Sequence, residues 1–305
     1  MTEDFRCSAS SLARSEPLIG TASTVRAFLL IEVPGPWGVN AVRDARLPVQ
    51  VAAPLLDTAR SLRVRPLLIR RHGRTTPSST RVFAAYADPH RPWMQTAELD
   101  DPRQLLDLDL AGLAAGRQAG LTDIDDPVFL TCTHGRHDRC CAEQGRPVAG
   151  ALASSHPRES WEVSHIGGDR FAGNVLVLPD GLYYGRLGPD AASELATRHH
   201  QGHLDLDHLR GRSGFTVAAQ AAEIHLRRQL AVTELRAIRL QSQSQVDDIV
   251  EVVFSHGAQR WMVRLRRRQA GSHLLTCGAR LESRVIVYDL EAIEPGPAPT
   301  VATSR

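Results

Sequence analysis

One order of secondary-structure elements occurs twice along this chain. Apolar runs, helical spacing and turn residues predict a strand, a helix, two strands and a helix in the first copy: VRAFLLIEV (25–33), residues 49–63, RPLLIRR, RVFAAYAD and DPRQLLDLDLAGLAAG. The second copy repeats this order, with a hairpin near its end: VFLTC, RPVAGALASS, SWEVSHI, NVLVLPDGLYYGRL and PDAASELATRHH. Such units form mixed sheets, so the sequence predicts an α/β (α+β) fold with two βαββα halves.

Mixed sheets with helices on both faces match the thioredoxin-like plan, in which the loop after the first strand usually carries the redox chemistry. In the first copy this loop is PGPWGVNAVRDAR, which contains no cysteine. In the second copy it is THGRHDRCC, directly after VFLTC. Only the second half is therefore expected to hold a thiolate-bound centre.

The pattern changes beyond the second copy. From Phe215 a long helix, TVAAQAAEIHLRRQLA, precedes the strand-like segments DDIVEVVFSHG, QRWMVRLRRRQ, GSHLLTCGA and SRVIVYDLEAI. We predict five segments: a flexible N-terminal tail (1–20), a cysteine-free thioredoxin-like half (21–120), a second thioredoxin-like half with the cysteines (121–212), a small α+β appendage (213–294) and a disordered tail (295–305).

Composition limits the classes of partner. The chain has 305 residues, of which 42% are hydrophobic, so it can bury a large core. Its 36 basic and 34 acidic residues leave a formal charge of +2, which gives no support for nucleic-acid binding. The N-terminus has no secretory signal and no apolar run reaches the ~18 residues of a membrane helix, so we expect a soluble cytoplasmic protein without a membrane partner. Arginine used in preference to lysine suggests a GC-rich bacterial genome.

The cysteines point to a metal or redox centre. Three of the five lie in CTHGRHDRCC, and Cys132 and Cys141 are nine positions apart, which suits a long loop folded around a bound group. The segment SHIGGDRFAGN brings His165. In a reducing compartment such clusters bind metal or perform redox chemistry more often than they form structural disulfides. Thiolates with an imidazole suit zinc or an iron–sulfur cluster.

Four segments, CTHGRHDRCC, GRPVAGAL, SHIGGDRFAGN and VLPDGLYYGRL, resemble the bacterial branch of the sucrase/ferredoxin-like family of thioredoxin-like ferredoxins. The resemblance implies a [2Fe-2S] cluster held by two cysteines of a C-x8-C loop and two histidines of an H-x3-H segment. Cys132, Cys141 and His165 match three of these ligands, and Asp169 stands at the fourth position. The implied role is one-electron transfer with an unidentified redox partner protein.

The residues themselves leave the fourth ligand open, with His134 and His137 of the same loop as candidates beside Asp169 and Cys140. We rank Asp169 first and Cys140 second; the alternatives are that Asp169 pairs with Arg170 or caps the next segment, and that Cys140 is a small buried apolar residue. His134 and His137 are expected to donate hydrogen bonds to sulfur or to shape the loop, and Gly167 and Gly168 to let backbone amides approach the centre. Cys7 and Cys277 have no sequence neighbours that suggest a function.

Two other functions remain open on the residues. One is a thioredoxin-like dithiol/disulfide protein without a cluster, using Cys140 with Cys141 or Cys132 with Cys141. The other is a structural Cys3His zinc site. The cofactor is therefore predicted as [2Fe-2S], with Zn²⁺ or no metal as alternatives.

Overall fold

The structure is a computed structural model that describes residues 5–73 and 79–296. A short helix, α1 (Cys7–Ala13), precedes the first half. The elements of the first half are β1 (Ala27–Glu32), α2 (Val49–Leu62), β2 (Val64–Arg70), β3 (Thr80–Tyr86), β4 (Trp93–Leu99), a 3-10 helix (Pro102–Leu106), α3 (Leu110–Ala114) and β5 (Thr122–Asp123).

The second half and the C-terminal part follow. The elements of the second half are β6 (Val128–Cys132), α4 (Arg139–Ser155), β7 (Ser160–Val163), a 3-10 helix (Asp169–Phe171), β8 (Val175–Leu178), β9 (Leu182–Tyr184), α5 (Pro189–His200) and β10 (Leu209–Arg212). Those of the C-terminal part are α6 (Val217–Leu230), β11 (Ile238–Val246), β12 (Ile249–His256), β13 (Gln259–His273) and β14 (Ser283–Pro295).

The two halves share one topology. Ten strands form a single mixed sheet in the order β10-β9-β8-β6-β7-β2-β1-β3-β4-β5. In the first half β1 is parallel to β2 and antiparallel to β3, and in the second half β6 is parallel to β7 and antiparallel to β8. Each third strand continues into an antiparallel hairpin. The predicted α/β (α+β) class and the duplicated order are confirmed, with both copies in one continuous sheet.

The halves meet through a narrow antiparallel junction between β2 and β7. Only Ile69 with Val163 and Arg70 with Glu162 pair there, and all four residues lie at the carboxyl ends of their strands. The carboxyl ends of the parallel strands of both halves therefore converge at the middle of the sheet. Ligands of α/β sheets bind at such ends, because the loops that leave them form a crevice.

One face of the sheet, its inner face, forms a core shared by both halves. One apolar cluster combines residues of both halves, and the rings of Phe83 on β3 and Trp161 on β7 are 5.7 Å apart although two strands lie between β3 and β7. The helices α2 and α3 pack on the outer face of the first half, and α4 and α5 on that of the second. The prediction of helices on both faces of each sheet is wrong, because the second face of each half packs on the other half.

The C-terminal part has a core of its own. Strands β11 to β14 form an antiparallel sheet in sequence order, and α6 packs its alanine-rich face on it. The segment GSHLLTCGA is not a separate strand: β13 ends at His273, and Cys277 lies in the following turn. No helix in the described ranges is both long and apolar enough to cross a membrane.

Several sequence predictions need correction. The prediction of a flexible tail is wrong from residue 5 onward, because α1 packs Cys7, Ser8 and Ser11 against the second half. The side chains of these residues are small, so the sequence shows no apolar periodicity from which the helix could be predicted. The single helix predicted over DPRQLLDLDLAGLAAG is two short helices, because Asp101 and Asp109 each cap a new start. Residues 1–4 and, in the C-terminal tail, 297–305 lie outside the described ranges.

Candidate metal centre

Cys132 and Cys141 are brought together by the close packing of α4 on β6. Cys132 ends β6, and Cys141 lies in the first turn of α4; each thiol is 1% exposed. Asp138 caps α4 by accepting a hydrogen bond from the backbone N–H of Cys140 (2.8 Å). A Cβ at Gly145 would lie 2.1 Å from the carbonyl oxygen of Cys132. Only glycine at this position allows the helix to lie so close to the strand.

His165 and Asp169 reach the same place from the loop after β7. The Sγ of Cys132, the Sγ of Cys141 and a ring nitrogen of His165 all lie within 4.8 Å of one another. Asp169 Oδ1 is 2.8 Å from His165 Nδ1 and accepts a hydrogen bond from Cys141 Sγ (3.2 Å). Gly167 and Gly168 between them have φ of +99° and +81°. The structure therefore brings together all four residues predicted as ligands.

His137 lies closer to the centre than the sequence predicts. Its ring stacks on that of His165 with centroids 3.8 Å apart, and its Nε2 is 3.6 Å from Asp169 Oδ2. His137, His165 and Asp169 form a second set of ligand atoms within 4.8 Å of one another. Because the loop folds back over His165, His137 keeps its place among the candidates for the fourth ligand.

His134 is held by the backbone on both sides. Its Nδ1 accepts a hydrogen bond from the N–H of His165 (3.3 Å), and its Nε2 donates to the carbonyl of Gly38 (2.6 Å). Burial lowers the pKa of His134, which favours the neutral ring that these two bonds require. Trp37 packs edge-on against the ring at 5.9 Å. Gly38 and Trp37 belong to the cysteine-free loop of the first half, so that loop forms one wall of the centre.

Cys140 does not belong to this group. Adjacent residues of a helix point in different directions, and its Sγ is 3.4 Å from that of Cys277. The ranking of Cys140 as the alternative fourth ligand is therefore wrong, and so is a Cys3His site built on it. The predicted pairing of Arg170 with Asp169 is also absent among the described residues, since Arg170 Nε lies 2.7 Å from Glu16 Oε1.

The electrostatics of the group favour a positive charge on His165 beside anionic Cys132 and Asp169. The hydrogen bond from Cys141 outweighs burial and, with His165, holds the pKa of Cys132 well below its usual range. Burial alone lowers the pKa of His165, but Asp169 and Cys132 outweigh it and raise that pKa to about 9. Burial raises the pKa of Asp169, yet His165 reverses this and lowers it overall. Cys132 and Asp169, which both favour their anionic forms, thus share one buried site with the thiol of Cys141.

Two buried polar atoms at the centre have no aligned hydrogen-bond partner, namely His165 Nδ1 and Asp169 Oδ2. The short contact from His165 Nδ1 to Asp169 Oδ1 is an ion-pair distance without hydrogen-bond alignment. An unsatisfied buried polar group costs about 1–3 kcal/mol. Two thiols, an imidazole and a carboxylate fit a bound metal or iron–sulfur group, which would displace the protons of His165 and of the thiols on binding.

The thiols are buried, whereas the histidine rings reach solvent. The side chains of His165 and His137 are 28% and 33% exposed. One open cleft reaches both rings past Arg43 and Arg65. A neighbouring cleft is lined by four arginines: Arg70, Arg136, Arg139 and Arg146. The centre is therefore accessible through its histidine side, between arginine-rich walls.

Sequence reasoning missed the residues that come from distant segments. Cys7 and Cys277 lie next to Cys140, and Trp37 with Gly38 lies next to His134. For Trp37 and Gly38 a signal existed, because PGPWG occupies the position in the first copy that the cysteine loop occupies in the second. For Cys7 and Cys277 the only signal was the number of cysteines.

The model of the sucrase/ferredoxin-like family matches residues 18–211 of this chain. The chain is also similar to two curated yeast proteins called altered inheritance of mitochondria protein 32. The protein from Meyerozyma guilliermondii is 32% identical over 101 residues, which are 29% of this chain and 36% of that protein. The protein from Candida glabrata is 28% identical over 102 residues, 28% of this chain and 33% of that protein.

The chain thus covers about a third of the length of these relatives. No solved structure matches the chain.

Proposed function

The chain belongs to the sucrase/ferredoxin-like family, and from this premise we propose that it binds a [2Fe-2S] cluster and carries single electrons. The observation that carries the proposal is that two buried thiols, from β6 and α4, and an imidazole from the loop after β7 lie within 4.8 Å of one another. Cysteine and histidine together are the ligands of Rieske-type clusters. The cytoplasm is the compartment that we propose for this activity.

Each residue has a separate task in this proposal. Cys132 and Cys141 provide the two thiolates, and His165 with Asp169 provides the second pair of ligands. Asp169 is preferred to His137 because Asp169 is buried and its Oδ2 lacks a hydrogen-bond partner. His134, fixed on Gly38, holds the backbone of His165 in place. The cluster, when bound, supplies the capacity to accept and release one electron.

The surroundings favour a protein partner with an acidic surface. Electrons pass most readily where the centre is nearest to solvent, and within residues 5–73 and 79–296 a cleft reaches the centre at its histidine side. Arginines line both clefts beside it. Opposite charge accelerates encounter between proteins and makes the rate fall with salt. We therefore propose an acidic reductase or electron acceptor that docks over His165 and His137.

Analysis of iron and acid-labile sulfide in protein purified without oxygen tests the proposal. We expect about two irons and two sulfides per chain, with visible charge-transfer bands. Cys132→Ser should lose iron and colour, and Ser10→Ala, a small change at a residue outside both cysteine groups, should keep both. A colourless wild type that takes up no iron during reconstitution contradicts the proposal, as does Cys132→Ser with full iron content.

A second candidate is dithiol/disulfide exchange by Cys132 and Cys141. The low pKa of Cys132 beside the protonated thiol of Cys141 is the observation that favours it. The Cys132 thiolate would attack a substrate disulfide and release one thiolate. Cys141, losing its proton, would then displace the second and leave a Cys132–Cys141 disulfide. A colourless protein whose intramolecular disulfide forms reversibly would support this candidate.

A further inference from the structure

The five cysteines of the chain divide into two groups. Cys132 and Cys141 belong to the centre described above, and Cys7, Cys140 and Cys277 meet beside Asp138 on the other side of the first turn of α4. We propose that Cys7, Cys140, Cys277 and Asp138 form a second metal site that binds one Zn²⁺ ion. The proposal stands independently of the [2Fe-2S] cluster.

Three distant parts of the chain provide the three sulfurs. Cys7 comes from α1, Cys140 from the start of α4, and Cys277 from the turn between β13 and β14. The Sγ atom of Cys277 is 3.4 Å from that of Cys140 and 3.7 Å from that of Cys7. These contacts join residues that are far apart in the sequence: 131 positions separate Cys7 from Asp138, 137 separate Cys140 from Cys277, and 270 separate Cys7 from Cys277. Such convergence of thiols is not a consequence of local structure.

The arrangement fits one tetrahedral ion. Zinc lies about 2.3 Å from a cysteine sulfur, so two sulfurs of a tetrahedron are separated by roughly 3.8 Å. The observed separations are 3.4 and 3.7 Å. The oxygens of Asp138 lie 3.6 and 3.7 Å from Cys7 Sγ, and all four ligand atoms are within 4.8 Å of one another. Four donors around one point form a closed structural site.

The carboxylate of Asp138 is positioned by two backbone groups. It accepts hydrogen bonds from the N–H of Cys140 (2.8 Å) and from the N–H of Cys277 (2.6 Å). Ser8 Oγ donates to the sulfur of Cys140 (3.2 Å). Cys7, Cys140 and Asp138 are at most 2% exposed. Buried donors oriented by neighbouring groups in this way are characteristic of metal sites.

The alternative is a small apolar cluster in which the thiols only fill space. Cys7, Cys140 and Ala172 do form such a cluster with Phe5 and Cys277. A space-filling role does not explain why the carboxylate of Asp138 faces three sulfurs. It also makes a different prediction, because alanine in place of a space-filling cysteine changes stability without changing metal content.

The test uses full-length protein with the first centre disabled by Cys132→Ser and Cys141→Ser. We expect about one zinc per chain after purification or reconstitution with Zn²⁺, and tetrahedral thiolate absorption bands after exchange with Co²⁺. Adding Cys7→Ser or Cys277→Ser should abolish both signals. Adding Ser10→Ala, which changes a residue of α1 outside the site, should leave both signals unchanged.

A second measurement keeps the proposal testable if those variants do not fold. Wild-type protein is alkylated with and without Zn²⁺, and the modified cysteines are mapped by mass spectrometry. Zinc should protect Cys277, the partly exposed thiol of the group, and should slow the modification of buried Cys7 and Cys140 that occurs as the protein opens. Absence of zinc from the disabled background overturns the proposal, as does iron with sulfide there, or a Cys140–Cys277 disulfide in reduced buffer. If the disabled background binds zinc but the wild type binds no iron, the electron-transfer proposal is contradicted and the zinc proposal is supported.

Discussion

Asp169 determines the chemical character of the proposed centre. It stands four residues after His165, its carboxylate is buried, and it contacts both His165 and Cys141. A carboxylate is a harder ligand than imidazole and carries a charge that neutral imidazole lacks. Its presence should therefore lower the reduction potential relative to a cluster with two histidines.

Replacing Asp169 tests its role as a ligand. Asp169→His should retain the cluster and shift its visible spectrum and potential toward those of a two-histidine centre. Asp169→Ala should weaken cluster retention by more than the ~10–100-fold that loss of an outer-shell partner costs. Iron content, spectrum and potential are measured for both variants. If Asp169→Ala leaves all three unchanged, Asp169 is not a ligand and His137 takes its place, which His137→Ala would then show.

At the scale of single residues, the sequence allowed us to predict the members of the centre that are close along the chain or follow a known spacing. Cys132, Cys141, His165 and Asp169 fall into that class. The direction of Cys140 depended on where α4 begins, which the cap Asp138 fixes and which the spacing alone did not reveal. Cys7 and Cys277 depended on contacts between residues 270 positions apart. Contacts of that range follow from the tertiary fold and not from local pattern.

Helix α4 connects the fold to the chemistry at the scale of elements. It carries Cys140 and Cys141 in its first turn on two different sides, and its Gly145 rests against the end of β6. The sequence predicted only residues 146–155 of this helix and left Cys140, Cys141 and Gly145 in the loop before it, whereas α4 begins at Arg139. It therefore could not show that Gly145 is needed for contact and Gly150 is not. A Cβ at Gly150 would meet no atom closer than 3.5 Å.

These two glycines provide a matched pair of variants. Gly145→Ala should destabilise the protein by about 1–3 kcal/mol through overpacking, and it should reduce iron content because the helix must move away from Cys132. Gly150→Ala should keep the iron and leave stability equal or raised by up to about 1 kcal/mol, since alanine favours the helix. Denaturant unfolding and iron analysis decide the matter. Equal effects of the two variants would contradict the packing argument.

A buried ion network joins the large sheet to the C-terminal part at the scale of the whole molecule. Glu223 on α6 accepts hydrogen bonds from Arg212 of β10 (3.0 Å) and from Arg227 (2.9 Å), and its side chain is fully buried. Burial alone raises the pKa of Glu223, but the two guanidinium groups outweigh it and hold that pKa below its usual range. The network was invisible in the sequence, where α6 reads as an alanine-rich helix.

Replacing Glu223 tests this connection and gives a pH dependence of known sign. Glu223→Gln leaves two buried arginines without a carboxylate and should cost about 3–5 kcal/mol at neutral pH. Because the folded pKa is lowered, the contribution of Glu223 is complete above about pH 4.3, the value for an unfolded chain, and is lost as pH falls through the folded pKa. The difference between wild type and variant should therefore shrink in acid.

The control for this prediction is Glu194→Gln, which removes a carboxylate from an exposed pair with Arg198 on α5. It should change the unfolding free energy by less than about 1 kcal/mol. Both variants are measured by urea unfolding from pH 7 down to the lowest pH at which the wild type remains folded. A deficit for Glu223→Gln that does not change with pH would show that the variant acts through packing and not through charge.

The narrow junction at β2 and β7 determines which piece of this protein could function outside it. Every predicted cluster ligand lies in the second half, so excision of residues 121–212 would preserve the whole ligand set. Yet that fragment would lose the carbonyl of Gly38 that orients His134, and the inner face of its sheet would lose the first half that covers it. The cysteine-bearing half alone would therefore lack support for the proposed centre, and transplanting that centre to another protein would require the first half as well.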